Sequence, residues 1–177
     1  LLDYASAGGE IGGYLQRQKC RNVLAVCNVS DNASLRELNR ELSASIAAHT
    51  FRLPLFEAEK QMEKGDYTLF DRIQAQLIEH MAANEYDAVF CPFDFPLEWL
   101  LFDGFPAELR RKVRLVTLHG VFPGVHSREY CRAGIVSWVA PHDQLIRTAV
   151  TRLEKWHSKK HAPVGVKKIR LVFEDQP

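Results

Sequence analysis

The sequence of 177 residues contains no apolar run that approaches the ~20 residues of a membrane-spanning helix. It has no excess of one charge either: 23 basic and 22 acidic residues leave a formal net charge of +1. Such a balance gives no strong attraction to nucleic acid or to a membrane surface. No secretory signal pattern opens the sequence. We therefore expect a cytoplasmic protein with no membrane partner, whose own residues make no direct contact with DNA.

Cysteine and histidine occur without the spacings that hold metals. The four cysteines are scattered and form no CxxC pair: Cys20, Cys27, Cys91 and Cys131. Two of them, Cys27 and Cys91, lie in apolar runs, which favours reduced thiols packed as small hydrophobic side chains. None of the seven histidines belongs to an HExxH pattern. We expect no metal site and no cofactor.

Signatures of nucleotide binding and of hydrolysis are also missing. Gly8-Gly9 and Gly12-Gly13 match neither of the glycine-rich phosphate loops. They lie in a stretch of helical spacing, where each glycine costs about 1 kcal/mol relative to alanine. Close packing of this helix against a neighbour would offset that cost. Ser34, His119 and Asp94 could suggest a catalytic triad, but there is no GxSxG elbow, so an enzyme is disfavoured.

Short apolar runs alternate with amphipathic stretches along the whole chain. Strands are predicted at 22–27, 51–56, 88–91, 113–119, 134–139 and 167–173. Helices are predicted around Gly8 to Leu15 and from Ser34, Thr68, Pro96, Phe105 and Pro141, with 57–66 a charged surface loop and 159–166 a linker. The alternation predicts an α/β fold, a parallel sheet with helices on both faces.

A carboxylate follows the most apolar of these strands. Ala88 to Cys91 runs into Pro92, which cannot continue a central strand, and Asp94 comes next. In an open α/β sheet, ligands bind outside the carboxyl ends of the strands. Asp94 is therefore a candidate binding residue. Capping of the helix that starts near Pro96 is the simpler role on spacing alone, and the two roles are compatible.

Two further side chains occupy similar places. Arg36 lies in the first turn of a helix, where the helix dipole disfavours a cation. Its partner is either a local carboxylate, such as Glu37 or Asp31, or a bound ligand. His119 ends another apolar strand and is a second candidate, although most lone histidines at a strand end are structural or solvated.

Four segments, in this order, resemble the effector-binding domain of lac/gal-type transcriptional repressors, the LacI family. They are Leu2-Asp3 with Gly8-Gly9 and Tyr14 to Arg17, then Ser34 to Leu38, then Asp87 to Asp94, and last Trp138 to Pro141. Each motif is degenerate, and their order carries most of the resemblance. By resemblance, Arg36 stands where the family commonly holds the effector. His119 replaces an aspartate that touches the effector in many relatives.

The resemblance implies a type I periplasmic-binding-protein-like fold, present here mainly as its C-terminal lobe. Residues 22–133 and 159–177 would form that lobe, and residues 1–21 and 134–158 would be remnants of an N-terminal lobe. Two helices are then expected to expose apolar faces. The resemblance also implies a homodimer. The helix at 97–102 is apolar nearly all round, so we expect it either deep in the core or at a subunit contact. Operator DNA would be bound only through a helix-turn-helix outside this chain.

The predicted function is the sensing of a small-molecule effector, a sugar or related metabolite, by a transcriptional regulator. Asp94, Arg36 and His119 would supply polar contacts in a cleft between lobes. An aromatic platform is predicted from among Phe93, Phe95, Phe122 and Trp138. A solute-binding protein for transport or chemotaxis with the same fold is the alternative.

Overall fold

The computed structural model describes residues 2–30, 32–92, 104–119, 134–159 and 168–174. The predictions for Asp94, Phe93, Phe95, Phe122 and the helix at 97–102 lie outside these residues. Among the helices that are described, none is long and apolar enough to cross a membrane.

Within the described ranges, six strands and six helices follow one another in near alternation. In chain order they are α1 (Tyr4–Arg17), β1 (Val23–Asn28), α2 (Ala33–Ser45), β2 (Ala48–Leu53), α3 (Leu55–Met62), α4 (Thr68–Ala83), β3 (Ala88–Cys91), α5 (Ala107–Lys112), β4 (Arg114–His119), β5 (Ile135–Val139), α6 (His142–Lys159) and β6 (Val172–Glu174).

All six strands belong to one sheet, in the order β2-β1-β3-β4-β5-β6. The first five pair in parallel, while β6 pairs antiparallel with β5. The predicted parallel sheet is therefore confirmed, with one antiparallel strand at its edge. This strand is also shorter than the segment 167–173 that was predicted.

Alternate residues of the central strands enter two separate cores, one on each face of the sheet. In β1, Leu24 and Val26 pack with side chains of α3 and α4, while Ala25 and Cys27 pack with side chains of α1 and α2. Every residue of β1 and β3 is buried. Helices therefore cover both faces, as the sequence pattern predicts.

Helix α1 packs tightly against α2, and two of its glycines allow the close approach. A Cβ at Gly8 would collide with the carbonyl oxygen of Leu38, and one at Gly12 would collide with the side chain of Ser45. Ile11 and Leu15 are completely buried in this contact layer. The expectation that the first helix would expose an apolar face is wrong, because α2 and the sheet cover that face. The predicted close packing of the glycine helix is confirmed.

The segments expected to be remnants of another lobe join the same layers. Strand β5 pairs along β4, and Leu2 forms a parallel bridge with Ile169. Within the described residues, the expected boundaries near 21/22 and 133/134 therefore do not separate two units. Helix α6 differs from α1, because its large apolar side chains are exposed as predicted: Ile146, Val150, Leu153 and Trp156.

Two local predictions need correction. Residues 57–66 are not wholly a loop, because α3 extends to Met62 and buries Leu55 and Ala58. Its charged residues, which suggested a loop, are the solvent face of a short amphipathic helix. Helix α2 is capped by Asn32, whose side chain accepts a hydrogen bond of 3.0 Å from the backbone N–H of Leu35. The sequence pattern placed the start of this helix at Ser34, two residues later.

The start of β3 is tied to the start of β1 by one carboxylate. Asp87 Oδ2 accepts hydrogen bonds from the backbone N–H groups of Arg21 and Asn22, at 2.6 and 2.9 Å. These two bonds hold the pKa of Asp87 below its ordinary value, with a smaller contribution from the charge of Arg21. The carboxylate thereby fixes the register in which the chain enters the sheet.

We expect Gly8→Ala to destabilise the fold by about 2 kcal/mol, because the added methyl group overpacks the α1–α2 contact. Gly9→Ala is the matched control on the adjacent residue, where a Cβ meets nothing within 4 Å. It should stabilise the fold by up to about 1 kcal/mol through helix propensity. Urea unfolding of both variants measures the difference. Equal effects of the two substitutions would contradict the close contact described for Gly8.

Asp87→Asn should lower the free energy of unfolding by about 1 kcal/mol at neutral pH, since hydrogen bonds to a charged, exposed group are weakened rather than removed. A carboxylate with a depressed folded-state pKa stabilises the fold fully above its unfolded pKa, about 4. That contribution is lost as the pH falls through the folded pKa. The gap between wild type and variant should therefore shrink under acid in urea titrations at several pH values. A gap that is independent of pH would show that the charge plays no part.

Candidate ligand-binding edge of the sheet

The five parallel strands end on one edge of the sheet. Their last residues are Asn28, Leu53, Cys91, His119 and Val139. Side chains that follow these ends, or that lie in the first turns of the helices after them, meet at this carboxyl edge. A ligand site is therefore expected at this edge.

Asn28 is the polar centre of this edge and is completely buried. Its Nδ2 donates to Ser30 Oγ at 2.7 Å, and its Oδ1 accepts from the backbone N–H of Phe56 at 3.3 Å. Its backbone carbonyl accepts from the Arg52 guanidinium at 3.2 Å. Asn28 thus joins the end of β1 to the end of β2 and the start of α3. The sequence pattern ended the predicted strand at residue 27 and assigned Asn28 no role. The signal that could have indicated this role is a lone amide directly after an apolar run.

Arg36 lies at the same edge, in the first turn of α2. Its backbone N–H donates a hydrogen bond of 3.1 Å to the Asn32 carbonyl, so the regular helical hydrogen bonding has begun at this residue. The side chain is exposed. The choice between a local carboxylate and a ligand as its partner stays open, because Asp31 lies outside the described residues.

Asp3 reaches this edge from the other helix of the layer. Gly8 faces Leu38 and Gly12 faces Ser45, so α1 and α2 run in the same direction. Asp3, the residue that caps α1, is consequently level with the start of α2. Its carboxylate accepts hydrogen bonds from the backbone N–H and the hydroxyl of Ser6, at 3.3 and 2.9 Å.

The carboxylate of Asp3 is poised to stay charged. Burial raises the pKa of Asp3, but the two bonds from Ser6 and the charges of Lys168 and Arg170 together outweigh it. The net result is a pKa below the ordinary value. Asp3 was not predicted as a site residue, although it belongs to one of the four segments that carry the family resemblance.

Trp138 lies in the core layer beneath this edge. Its ring is 2% exposed and contacts Tyr14 edge-on, with ring centroids 5.6 Å apart, and Phe173 at 4.7 Å. Its Nε1 is buried and has no hydrogen-bond partner among the described residues. A face of Trp138 open to a ligand is not seen, and the predicted ligand contact stays a prediction.

The remaining predicted residues are placed only in part. The backbone of His119 ends β4 and pairs with Val139, so it lies at the same edge, whereas its side chain is outside the described part of the chain. Arg36, the His119 backbone and Asp3 are thus brought to one edge. No cluster of three metal-ligating side chains is found among the described residues. The carboxylate of Asp3 can accept hydrogen bonds, and the guanidinium of Arg36 can donate them.

No family model and no curated protein matches this sequence. Solved structures do match it. A LacI-family transcriptional regulator from Enterococcus faecalis V583 with bound ribose has a TM-score of 0.70 at 15% identity, and the match covers 99% of this chain and 60% of that one. The Cra dual regulator of Pseudomonas putida with fructose 1-phosphate has a TM-score of 0.63 at 15% identity, and the match covers 98% of this chain and 62% of that one. A Caulobacter myo-inositol binding protein with myo-inositol has a TM-score of 0.67 at 13% identity, and the match covers 98% of this chain and 58% of that one.

The chain therefore has the type I periplasmic-binding-protein-like fold, and the resemblance inferred from sequence is confirmed at the level of the fold. It spans about 60% of the length of the solved structures that it matches. The matched proteins are regulators and binding proteins.

Asn28→Ala should lower the free energy of unfolding by about 2 kcal/mol, because it removes the hydrogen bonds to Ser30 and Phe56 from a completely buried position. Asn84→Ala is a suitable control, since Asn84 is exposed and its Nδ2 bonds to the His80 carbonyl at a helix end. Asn84→Ala should lower the free energy of unfolding by well under half of the amount expected for Asn28→Ala. Chemical unfolding of both variants measures this, and comparable losses would contradict a structural role for Asn28 at the edge.

Proposed function

We propose that this chain is the effector-binding part of a transcriptional regulator that senses a sugar or a related small metabolite. The observation that carries the proposal is the fold, matched over almost the whole chain by LacI-family regulators that were solved with ribose or lactose. The proposed role is recognition without catalysis.

The chemistry of the carboxyl edge supports this choice of ligand. Sugar hydroxyls need donors and acceptors held in fixed positions. The carboxylate of Asp3 is an acceptor and the guanidinium of Arg36 is a donor, and both lie at the start of neighbouring helices. Asp94 and His119 are proposed as further polar contacts. Phe93, Phe122 and Trp138 are proposed to provide apolar surface for the ring.

The proposed mechanism is a shift between lobe arrangements. An effector that binds one arrangement more tightly favours it, and a dimer passes the change to DNA-binding segments. The described chain would act as the C-terminal lobe in this scheme. Operator contact is assigned to a helix-turn-helix outside this chain, since the near-neutral charge of the chain gives no strong attraction to DNA.

A solute-binding protein of the same fold is the second candidate, and the likeness to the myo-inositol binding protein favours it specifically. The sequence upstream of residue 1 in the gene distinguishes the two. A helix-turn-helix supports the regulator, and a secretory leader supports the solute-binding protein.

The proposal predicts a stabilising hit in a thermal-shift screen of pentoses, hexoses, inositols and sugar phosphates. A ligand present at about 100 times its Kd stabilises by about 2.7 kcal/mol, which raises the Tm of a chain of this size by roughly 5–10 °C. Arg36→Ala and Asp94→Asn should each reduce this shift strongly, because each removes a polar contact to the ligand.

Arg40→Ala is the matched control one turn further along α2. Arg40 is exposed and pairs with Glu41 at 2.8 Å, so its removal should leave the ligand-induced shift unchanged. A hit that survives both Arg36→Ala and Asp94→Asn, or the absence of any hit among the four ligand classes, would contradict the proposed site.

A further inference from the structure

A basic hollow lies at the opposite, amino-terminal edge of the sheet. It has a volume of about 420 Å³ and is lined by residues from four separate segments. They are Gln18, Lys19 and Cys20 after α1, Asp87 before β3, Arg111 to Arg114 between α5 and β4, and Gly134 before β5. Four cations and one carboxylate thus face the same space.

The local structure directs these cations toward the hollow. Lys19 has a left-handed backbone, with φ of 62°, in the turn that ends α1. This turn is closed by a bond of 3.0 Å from the N–H of Cys20 to the carbonyl of Leu15. Arg114 begins β4, and its N–H bonds to the carbonyl of Asp87 at 2.9 Å. The hollow is therefore formed by the segments that lead into four strands, β1, β3, β4 and β5.

None of the four cations has an ion-pair partner in the described part of the chain, and Arg114 lies beside the thiol of Cys20. The one carboxylate of the hollow is already used by the backbone N–H groups of Arg21 and Asn22. The dipole of α5 accounts for cations at Arg111 and Lys112. It does not account for Lys19, which lies in the turn after α1, or for Arg114, which lies beyond the helix at the start of β4.

We propose that this hollow binds a small phosphorylated compound through its phosphate group. Convergent lysine and arginine side chains are the groups that proteins use for phosphate, lysine as a point charge and arginine as a planar two-donor fork. The site is separate from the carboxyl edge, so an occupant here acts as a second ligand of the protein. A volume of about 420 Å³ accommodates a diphosphate or a phosphorylated metabolite rather than a polymer.

Inorganic pyrophosphate, titrated into the full chain at constant ionic strength, tests this proposal. Isothermal titration calorimetry gives the Kd, and heteronuclear NMR gives the location. The amide signals of Cys20, Val113 and Gly134 should shift together. Lys19→Gln and Lys112→Gln, in two different segments, should each weaken binding by about fivefold, the loss expected for one exposed charge contact.

Arg72→Gln is the matched control, because Arg72 is exposed on α4 and does not line the hollow. It should leave pyrophosphate affinity unchanged. Absence of binding, or equal weakening by all three substitutions, would overturn the proposal. So would a short single-stranded DNA that binds and is not displaced by pyrophosphate, which would identify a nucleic-acid surface. Thermal shifts by sugars at the carboxyl edge should be the same in Lys19→Gln and wild type.

Discussion

The burial of both faces of β1 and β3 is the constraint on which the rest of this structure depends. With all of their side chains packed on one core or the other, these strands have no room for unpaired polar groups. In these two strands the one buried polar residue, Asn28, therefore lies at a strand end. Asn28 illustrates the rule, because it is buried at the end of β1 only by virtue of bonds to Ser30 and Phe56.

The helix layer formed by α1 and α2 follows from this constraint. Strand β1 needs a cover, and the absence of side chains at Gly8 and Gly12 lets two helices run side by side over it. Their common direction brings Asp3 and Arg36 to one edge. A carboxylate and a guanidinium that are distant in sequence thus lie at the starts of neighbouring helices, at the edge proposed to bind the ligand.

The parallel strands and the apolar faces of α2, α4 and α6 were predictable, since periodicity records burial directly. The course of α1 was not, because glycines show that something approaches closely without saying what. Helix α3 was missed because the charges at Glu57 and Glu59 resemble a loop. In the candidate site, the place of Arg36 was predictable because a cation is unfavourable at a helix start. The role of Asn28 was not, because its partner Phe56 lies 28 residues away and only the fold brings it close. Asp3 could have been recognised as a helix cap, since its partner Ser6 is three residues away, but its position at this edge depends on how α1 packs on α2.

The exposed apolar side chains of α6 affect how this protein can be studied. Ile146, Val150, Leu153 and Trp156 are each about half exposed or more, so the native state offers a surface to dyes that report hydrophobic patches. A bright dye signal at room temperature is therefore a property of the folded chain and no sign of a molten globule. Intrinsic fluorescence is the better monitor of unfolding, because Trp138 is shielded from water in the folded state and becomes exposed on unfolding. Trp156 is half exposed in the folded state and changes its surroundings less.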